Sequence, residues 1–358
     1  MEMLDYIREQ PLLFAQVLED RLAAAAPFCR VCKAVQPTRI ALIASGTSRN
    51  AALAAAPFME WVLGIEVTVQ APSQVQRLHG GRTLAIVISQ GGNSTNSLAV
   101  FDRLEGVPTI AMTGNPYGHL NKKGDHYIAI PCGEELAGPK TKGYTITILT
   151  LYLLALEYAH QSGRADAAQY GGCLAALRAA AAAQAGNIQA AEEWVSANQE
   201  SLKHLRTVYL VGKKQGMQVA AEGALKLMET LLIPAFSFDF EEFLHGPASS
   251  LGETVSGIYL LPPPADADYE RMQRLVQYHR GVCPAVYTVG LCGGRDGRDC
   301  PVKAAGQWYT QPFEQILPMQ LISAVIPPLL GIGEVGFERF LRLDAIMNIK
   351  QKNARGML

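Results

Sequence analysis

Charge of neither sign is in excess in this 358-residue sequence, where 31 Lys and Arg stand against 32 Asp and Glu for a net charge of −1. A chain so balanced has no basic footprint for nucleic acid and no pull toward an anionic membrane, so neither is expected as a partner. No uncharged stretch is long enough to span a bilayer, and the start, Met1 to Glu9, is acidic and lacks the apolar core of a secretory signal. A cytoplasmic location is the expectation. Cysteine is sparse and scattered: the seven are an odd number, and Cys29 and Cys32 form a lone pair with no second pair at zinc spacing. That pattern argues against a disulfide framework, and no metal is expected. The phosphate motifs G-x-G-x-x-G and G-x-x-x-x-G-K-[ST] are missing as well, so neither a dinucleotide nor a nucleoside triphosphate is indicated.

What is present is a diverged internal repeat. Ile40 to Ala44, the turn Ser45-Gly-Thr-Ser48 and a helical run ending Met59-Glu60 are echoed by Val208 to Gly212 and a run ending Met228-Glu229, Ile40 and Val208 lying 168 positions apart. Further on, Gly106 to Gly114 resembles Gly281 to Gly290. Each unit reads as strand, turn and helix, and the length suits two domains of about 150 residues. Thr83 to Ile88 and Val255 to Leu261 are short and apolar without strict alternation, as expected of parallel strands covered on both faces. Helices are expected over Thr141 to Ala159 and over the alanine-rich residues 172–194. Pro262 to Asp268 reads as a rigid turn and Gly290 to Asp299 as a surface loop.

Two turns have the chemistry of an anion cradle. Ser89-Gln-Gly-Gly-Asn-Ser-Thr95 follows a strand and precedes a predicted helix, so hydroxyls and free N–H groups gather at a helix N-terminus, and its glycines let a phosphate approach the backbone. Ser45 to Ser48 would sit beside it at the carboxyl edge of the same sheet. Simple N-capping accounts for either turn alone, whereas two in consecutive units favour phosphate. A second constellation lies in Glu222-Gly-Ala-Leu-Lys226-Leu-Met-Glu229, where positions 222, 226 and 229 fall on one helical face. Such a face suits proton transfer, and equally an exposed salt-bridged helix. His245-Gly-Pro247 follows, with the side chain that titrates in the range acid and base catalysis needs.

Together these residues resemble the sugar isomerase (SIS) domain family, in particular the tandem-SIS isomerase half of glucosamine-6-phosphate synthase and its stand-alone deglycase and deaminase relatives. The likeness runs from about residue 35 to about 330 and also takes in Glu135 through Thr145 and Leu317-Pro-Met-Gln-Leu-Ile322. It implies an α/β fold of two SIS domains, each a parallel sheet flanked by helices in a three-layer, flavodoxin-like arrangement. The expected boundaries are an N-terminal helical segment at 1–30, domains at 31–185 and 186–340, and a tail at 341–358. It implies a homodimer or larger oligomer that binds a sugar phosphate without metal or organic cofactor. Thr47, Ser48, Ser89, Gln90 and Ser94 match phosphate-binding positions, and Gly91 stands where the family pattern has a phosphate-facing serine. Glu229 matches the carboxylate that moves a proton between C1 and C2. His245 matches a histidine that assists ring opening, often from the neighbouring subunit. Lys226 is expected to hold Glu229 ionised or to touch the sugar, with Glu222 orienting Lys226. Lys350 is the candidate for a C-terminal lysine that assists ring opening, with Lys352 as its competitor.

Two departures refine the expectation. No glutaminase module precedes the repeat, so glutamine-dependent amination is not expected. Lys140 replaces a sugar-contacting serine, and a cation there would suit a substrate with a second anionic group, although a solvent-exposed lysine fits equally. The leading expectation is a deglycase or deaminase acting on an amino-substituted hexose 6-phosphate. A plain aldose-ketose isomerase and a non-catalytic sugar-phosphate sensor are the alternatives.

Overall fold

The computed structural model describes residues 2–76, 78, 82–290 and 296–351. The chain folds as α1 (Met3–Glu19), α2 (Arg21–Val35), β1 (Arg39–Ala44), α3 (Gly46–Leu63), β2 (Glu66–Gln70), β3 (Thr83–Ile88), α4 (Thr95–Ala99), β4 (Thr109–Thr113), β5 (His126–Ala129), α5 (Lys142–Gln161) and α6 (Ala167–Leu202). It continues as β6 (Thr207–Gly212), α7 (Gln215–Thr230), β7 (Ala235–Asp239), α8 (Phe240–Leu244), β8 (Val255–Leu260), α9 (Tyr269–Val282), β9 (Val286–Gly290), β10 (Asp299–Pro301), α10 (Gln311–Gln315), α11 (Leu317–Leu329) and α12 (Val335–Met347). Two compact units result: one holds Leu12–Leu136, Lys142–Ala175 and the chain from Arg339 on; the other holds the start to Pro11, Ala137–Thr141 and Ala176–Glu338.

The first of these units carries a five-stranded parallel sheet in the order β2-β1-β3-β4-β5. Every residue of β3 is buried, which is why its sequence runs apolar without alternation. Ile43, Ala85, Val87 and Ala111 pack with Leu98, Val100, Leu104 and Leu120 in one cluster. Helix α5 lies on α2 and α3, with the Phe58 and Tyr152 rings 4.1 Å apart. The other unit repeats the strand order as β7-β6-β8-β9-β10, all parallel. Val211, Tyr259 and Val286 pack with Phe240, Phe243, Met272 and Val276.

In both sheets the first and third strands of the repeat are neighbours, Ala44 opposite Ile88 and Val211 opposite Tyr259. The chain therefore turns outward in opposite directions from adjacent strand ends, and the crevice this opens at the carboxyl edge is where open α/β sheets take ligands.

Three sequence expectations need correction. The helix after the Ser89 turn is the five-residue α4, continued only by a short 3₁₀ turn at Val100–Arg103. The alanine-rich helix is longer than 172–194, since α6 runs Ala167–Leu202 with no proline inside it. Asp299 opens β10 rather than closing a loop, because Cys300 pairs with Val289; residues 291–295 lie outside the described residues.

Candidate active site

The two turns expected to cradle an anion meet at the crevice of the β1–β5 sheet. Ser45 leaves β1 in an extended conformation and precedes α3, whose first turn carries Thr47 and Ser48. Alongside, the Ser89 hydroxyl donates to Ser94 Oγ at 3.3 Å, and Gln90 N–H reaches Ser48 Oγ at 3.4 Å, so the two turns touch. Asn96 ties them again by donating to Ser45 Oγ at 2.8 Å. Gly92 has φ +69, and a Cβ there would meet Thr113 Oγ1 at 2.9 Å and Gly118 Cα at 3.0 Å, so the turn requires glycine. Gly91 is exposed with open space around it, so nothing steric excludes the serine of the family pattern.

Gln90 is anchored from below. Its Nε2 donates to Glu135 at 3.0 Å, and the same carboxylate oxygen accepts from Gly143 N–H at 3.0 Å, capping the first turn of α5. A Cβ on Gly143 would come 2.1 to 2.3 Å from the Gln90 amide, so the side chain lies directly over that glycine. Cys132 lies at the same spot, its Sγ 3.5 Å from Gln90 Nε2; burial first, then the Glu135 charge, pushes its thiol up to about 11. Such a thiol is a packing group and no nucleophile.

Charge reaches the cradle from the C-terminal segment. Lys350 pairs with Ser94 as an isolated antiparallel bridge, and Lys350 Nζ donates to Ser94 Oγ at 2.7 Å. Thr95 N–H donates to Ile349 O at 3.0 Å and Gln351 N–H to Asn93 O at 2.8 Å; Asp344 accepts from Lys350 N–H at 2.7 Å. Lys352 lies outside the described residues.

The carboxylate constellation belongs to the other unit. Helix α7 buries Glu222 and Lys226 completely, and Lys226 Nζ stands 3.4 Å from Glu222 Oε1 and 2.5 Å from Glu229 Oε2. The face is therefore no exposed salt-bridged helix. Only Glu229, with 37% of its side chain exposed, is open to a ligand. Close packing produces this burial: a Cβ at Gly223 would lie 2.8 Å from Met319 of α11 and 2.9 Å from Leu210 of β6. Gly336, at the start of α12, approaches so closely that a Cβ there would lie 2.2 Å from the Glu229 carbonyl oxygen.

His245 closes α8 and is exposed, with its N–H on Glu242 O at 3.2 Å. It is held in place by its helix: Asp239 caps the start and Phe240 and Phe243 are buried. Lys140 is partly buried and its ammonium donates to Ala137 O at 2.8 Å. At the equivalent crevice of the β6–β10 sheet, Lys213 is clamped by Asp266 at 2.6 Å and Asp268 at 2.5 Å, beside a cavity of about 520 Å³ lined by Pro262, Pro263 and Trp308. No hydroxyl cradle stands there among the described residues.

Sequence reasoning noted Glu135 and Gly143 but gave neither a role, and it passed over Asp344. A carboxylate seven residues before the start of a helix it caps leaves no local pattern, although a glycine in a first helical turn is itself a signal of close approach.

No helix among the described residues is long and apolar enough to cross a membrane. The SIS domain family matches residues 34–157. Among curated proteins, the glutamine–fructose-6-phosphate aminotransferase of Gloeobacter violaceus is 27% identical over 340 residues, which is 92% of this chain and 53% of that protein. The chain thus spans about half the length of the curated relatives it matches. A Clostridium difficile structure assigned provisionally as a phosphosugar isomerase superposes with a TM-score of 0.85 at 25% identity, covering 93% of this chain and 94% of that one. A Salmonella typhimurium LT2 structure assigned provisionally as a sugar-binding protein is 30% identical with a TM-score of 0.79, covering 90% of this chain and 99% of that one. With its doubled 2-1-3-4-5 parallel sheet, its matched domain and a relative of this identity aligned over nearly its whole length, the chain belongs to the SIS domain family.

Proposed function

We propose that the protein is a phosphosugar-processing enzyme whose substrate is an amino-substituted hexose 6-phosphate, cleaved at its C–N bond after proton transfer between C1 and C2. The observation that carries this reading is the Lys226 ammonium, fully buried between two carboxylates, of which only Glu229 is open to solvent. A buried cation at 2.5 Å fixes the direction of that carboxylate and leaves its open edge toward solvent, which is what a base needs. The phosphate is held by Thr47, Ser48, Ser89, Ser94 and the backbone around Gln90 and Gly91.

For a ketose bearing its amine on C1, Glu229 takes a proton from C1, giving an enaminol, and returns it to C2, giving an imine at C1. Water adds to that carbon and the amine leaves, yielding an aldose 6-phosphate. An aldose bearing its amine on C2 runs the mirror course to ammonia and a ketose 6-phosphate. His245, exposed at the end of α8, suits proton transfer during ring opening, including in a neighbouring copy of a homo-oligomer. Lys140, a partly buried cation where the family pattern has a serine, supports a substituent that carries a carboxylate.

The test is a screen of phosphorylated amino sugars and amino-acid-linked ketose phosphates for release of ammonia, amino acid or isomer, with Glu229→Gln alongside. Loss of a general base costs about 10²–10⁴ in rate, so turnover should fall by at least roughly a hundredfold while binding changes little. Unchanged turnover in the variant removes Glu229 from the chemistry. Isomer release without amine release selects the plain isomerase.

A further inference from the structure

The one cation at the cradle among the hydrogen bonds described above is Lys350, and its geometry points away from the ring-opening role that the family resemblance suggests. Ser94 Oγ accepts from Lys350 Nζ at 2.7 Å and from the Ser89 hydroxyl at 3.3 Å. With both bonds arriving at the oxygen, the Ser94 proton is directed elsewhere and is available to an anion. The five-residue α4 has little macrodipole to offer, since the effect needs a run of aligned peptides. Besides the N-terminus of α3, a phosphate dianion in this cradle is matched by a full charge from outside the Ser89 turn, which the ammonium is positioned to provide.

We infer that Lys350 is a phosphate ligand, and that the C-terminal segment Asn348–Gln351 is a strap which the substrate's phosphate fastens onto the cradle. In an extended hexose 6-phosphate, C1 lies seven bonds from phosphorus, about 9 Å away at ordinary bond lengths, so an ammonium on the phosphate does not reach the C1 carbonyl. The strap is already aligned. Thr95 N–H and Thr95 Oγ1 donate to Ile349 O at 3.0 Å and Asn348 O at 2.7 Å, Gln351 N–H donates to Asn93 O at 2.8 Å, and Asp344 holds Lys350 N–H. These are few bonds at partly exposed positions, the kind of segment that opens and closes at low free-energy cost. An anion gripped by Ser89 and Ser94 on one side and Lys350 on the other joins the two. Phosphate affinity and strap closure are then two readouts of one equilibrium.

This inference rests on the sugar-phosphate reading, and the experiment separates the two. Inorganic phosphate and hexose 6-phosphate are titrated by calorimetry into the full chain, into Lys350→Met and into Lys350→Arg, and hydrogen exchange at residues 348–351 is followed with and without inorganic phosphate. A charge-assisted contact contributes enough that its loss weakens binding by roughly ten- to a hundredfold. Lys350→Met should weaken inorganic phosphate by that factor and raise KM alike, with kcat within about threefold. Lys350→Arg should recover most of the affinity, and phosphate should slow exchange in the strap of the unaltered protein. Asp344→Ala, which keeps the ammonium but frees its backbone, should weaken phosphate to a lesser degree and cancel the added protection. A fall in kcat with phosphate affinity unchanged overturns the inference and returns Lys350 to the carbonyl end. No binding of either anion by the unaltered protein would instead overturn the sugar-phosphate reading itself.

Discussion

At the scale of the residue, Lys226 shows what one substitution can separate. The face it shares with Glu222 and Glu229 is legible in the sequence, because a period of 3.6 residues places 222, 226 and 229 together whatever surrounds them. The burial is not legible: it depends on Met319 and Leu210 closing over Gly223, and Met319 lies 96 positions beyond that glycine. Removing one partner of a buried ion pair leaves an uncompensated charge and costs about 3–5 kcal/mol, whereas replacing both by neutral groups is often nearly harmless. Lys226→Met should therefore lower the melting temperature sharply and abolish turnover. Glu222→Gln combined with Lys226→Met should regain most of the stability but none of the turnover. Thermal unfolding and a rate assay on the same two proteins check this, and joint recovery of both would mean that Lys226 only supports the helix.

At the scale of the element, the cradle turn depends on a helix that follows it by some fifty residues. Glu135 accepts from Gln90 and from the first turn of α5, and the Gln90 amide lies on Gly143. Propensity and packing make opposite predictions for Gly143→Ala. Alanine in a helix is worth about 0.5–1 kcal/mol over glycine, so α5 alone would gain. Yet the added methyl would stand 2.1 to 2.3 Å from the Gln90 amide, which has to leave its place over Glu135. Packing should prevail: phosphate affinity, measured by titration, should fall by roughly tenfold or more, while the melting temperature changes little. Retained affinity would show that Gln90 does not set the shape of the turn. The same element shows where sequence reading stops. Two hydroxyl-rich turns after strands pointed to the candidate cradle, but the helix after the second, α4, has only five residues, and the Lys350 ammonium comes from 256 positions further along the chain. Nothing local to either segment encodes that pairing.

At the scale of the whole molecule, two sheets with one strand order have been given different chemistry at the same topological point. The repeat was legible because strands, turns and helices recur in one order, and the order β2-β1-β3-β4-β5 returns as β7-β6-β8-β9-β10. Fold alone would permit a ligand at both crevices. The side chains decide. Beyond β3 stand Ser89 and Ser94 with Lys350 beside them, whereas beyond β8 the chain is Leu261-Pro-Pro-Pro264, and the nearby Lys213 is already matched by two aspartates. A lysine so neutralised has little charge to give an incoming anion, and the carboxylates around it repel one: Asp266 is held below the usual carboxylate range first by its hydrogen bond from Lys213, and so is Asp268. Phosphate anchoring should accordingly belong to one crevice alone. Ser89→Ala with Ser94→Ala should reduce hexose 6-phosphate binding by about a hundredfold or more, since two contacts to a charged group are lost. Lys213→Met should leave it within about twofold. Calorimetry on the two variants decides the matter: tight binding surviving the double alanine change, or lost with Lys213, would place the phosphate at the second sheet.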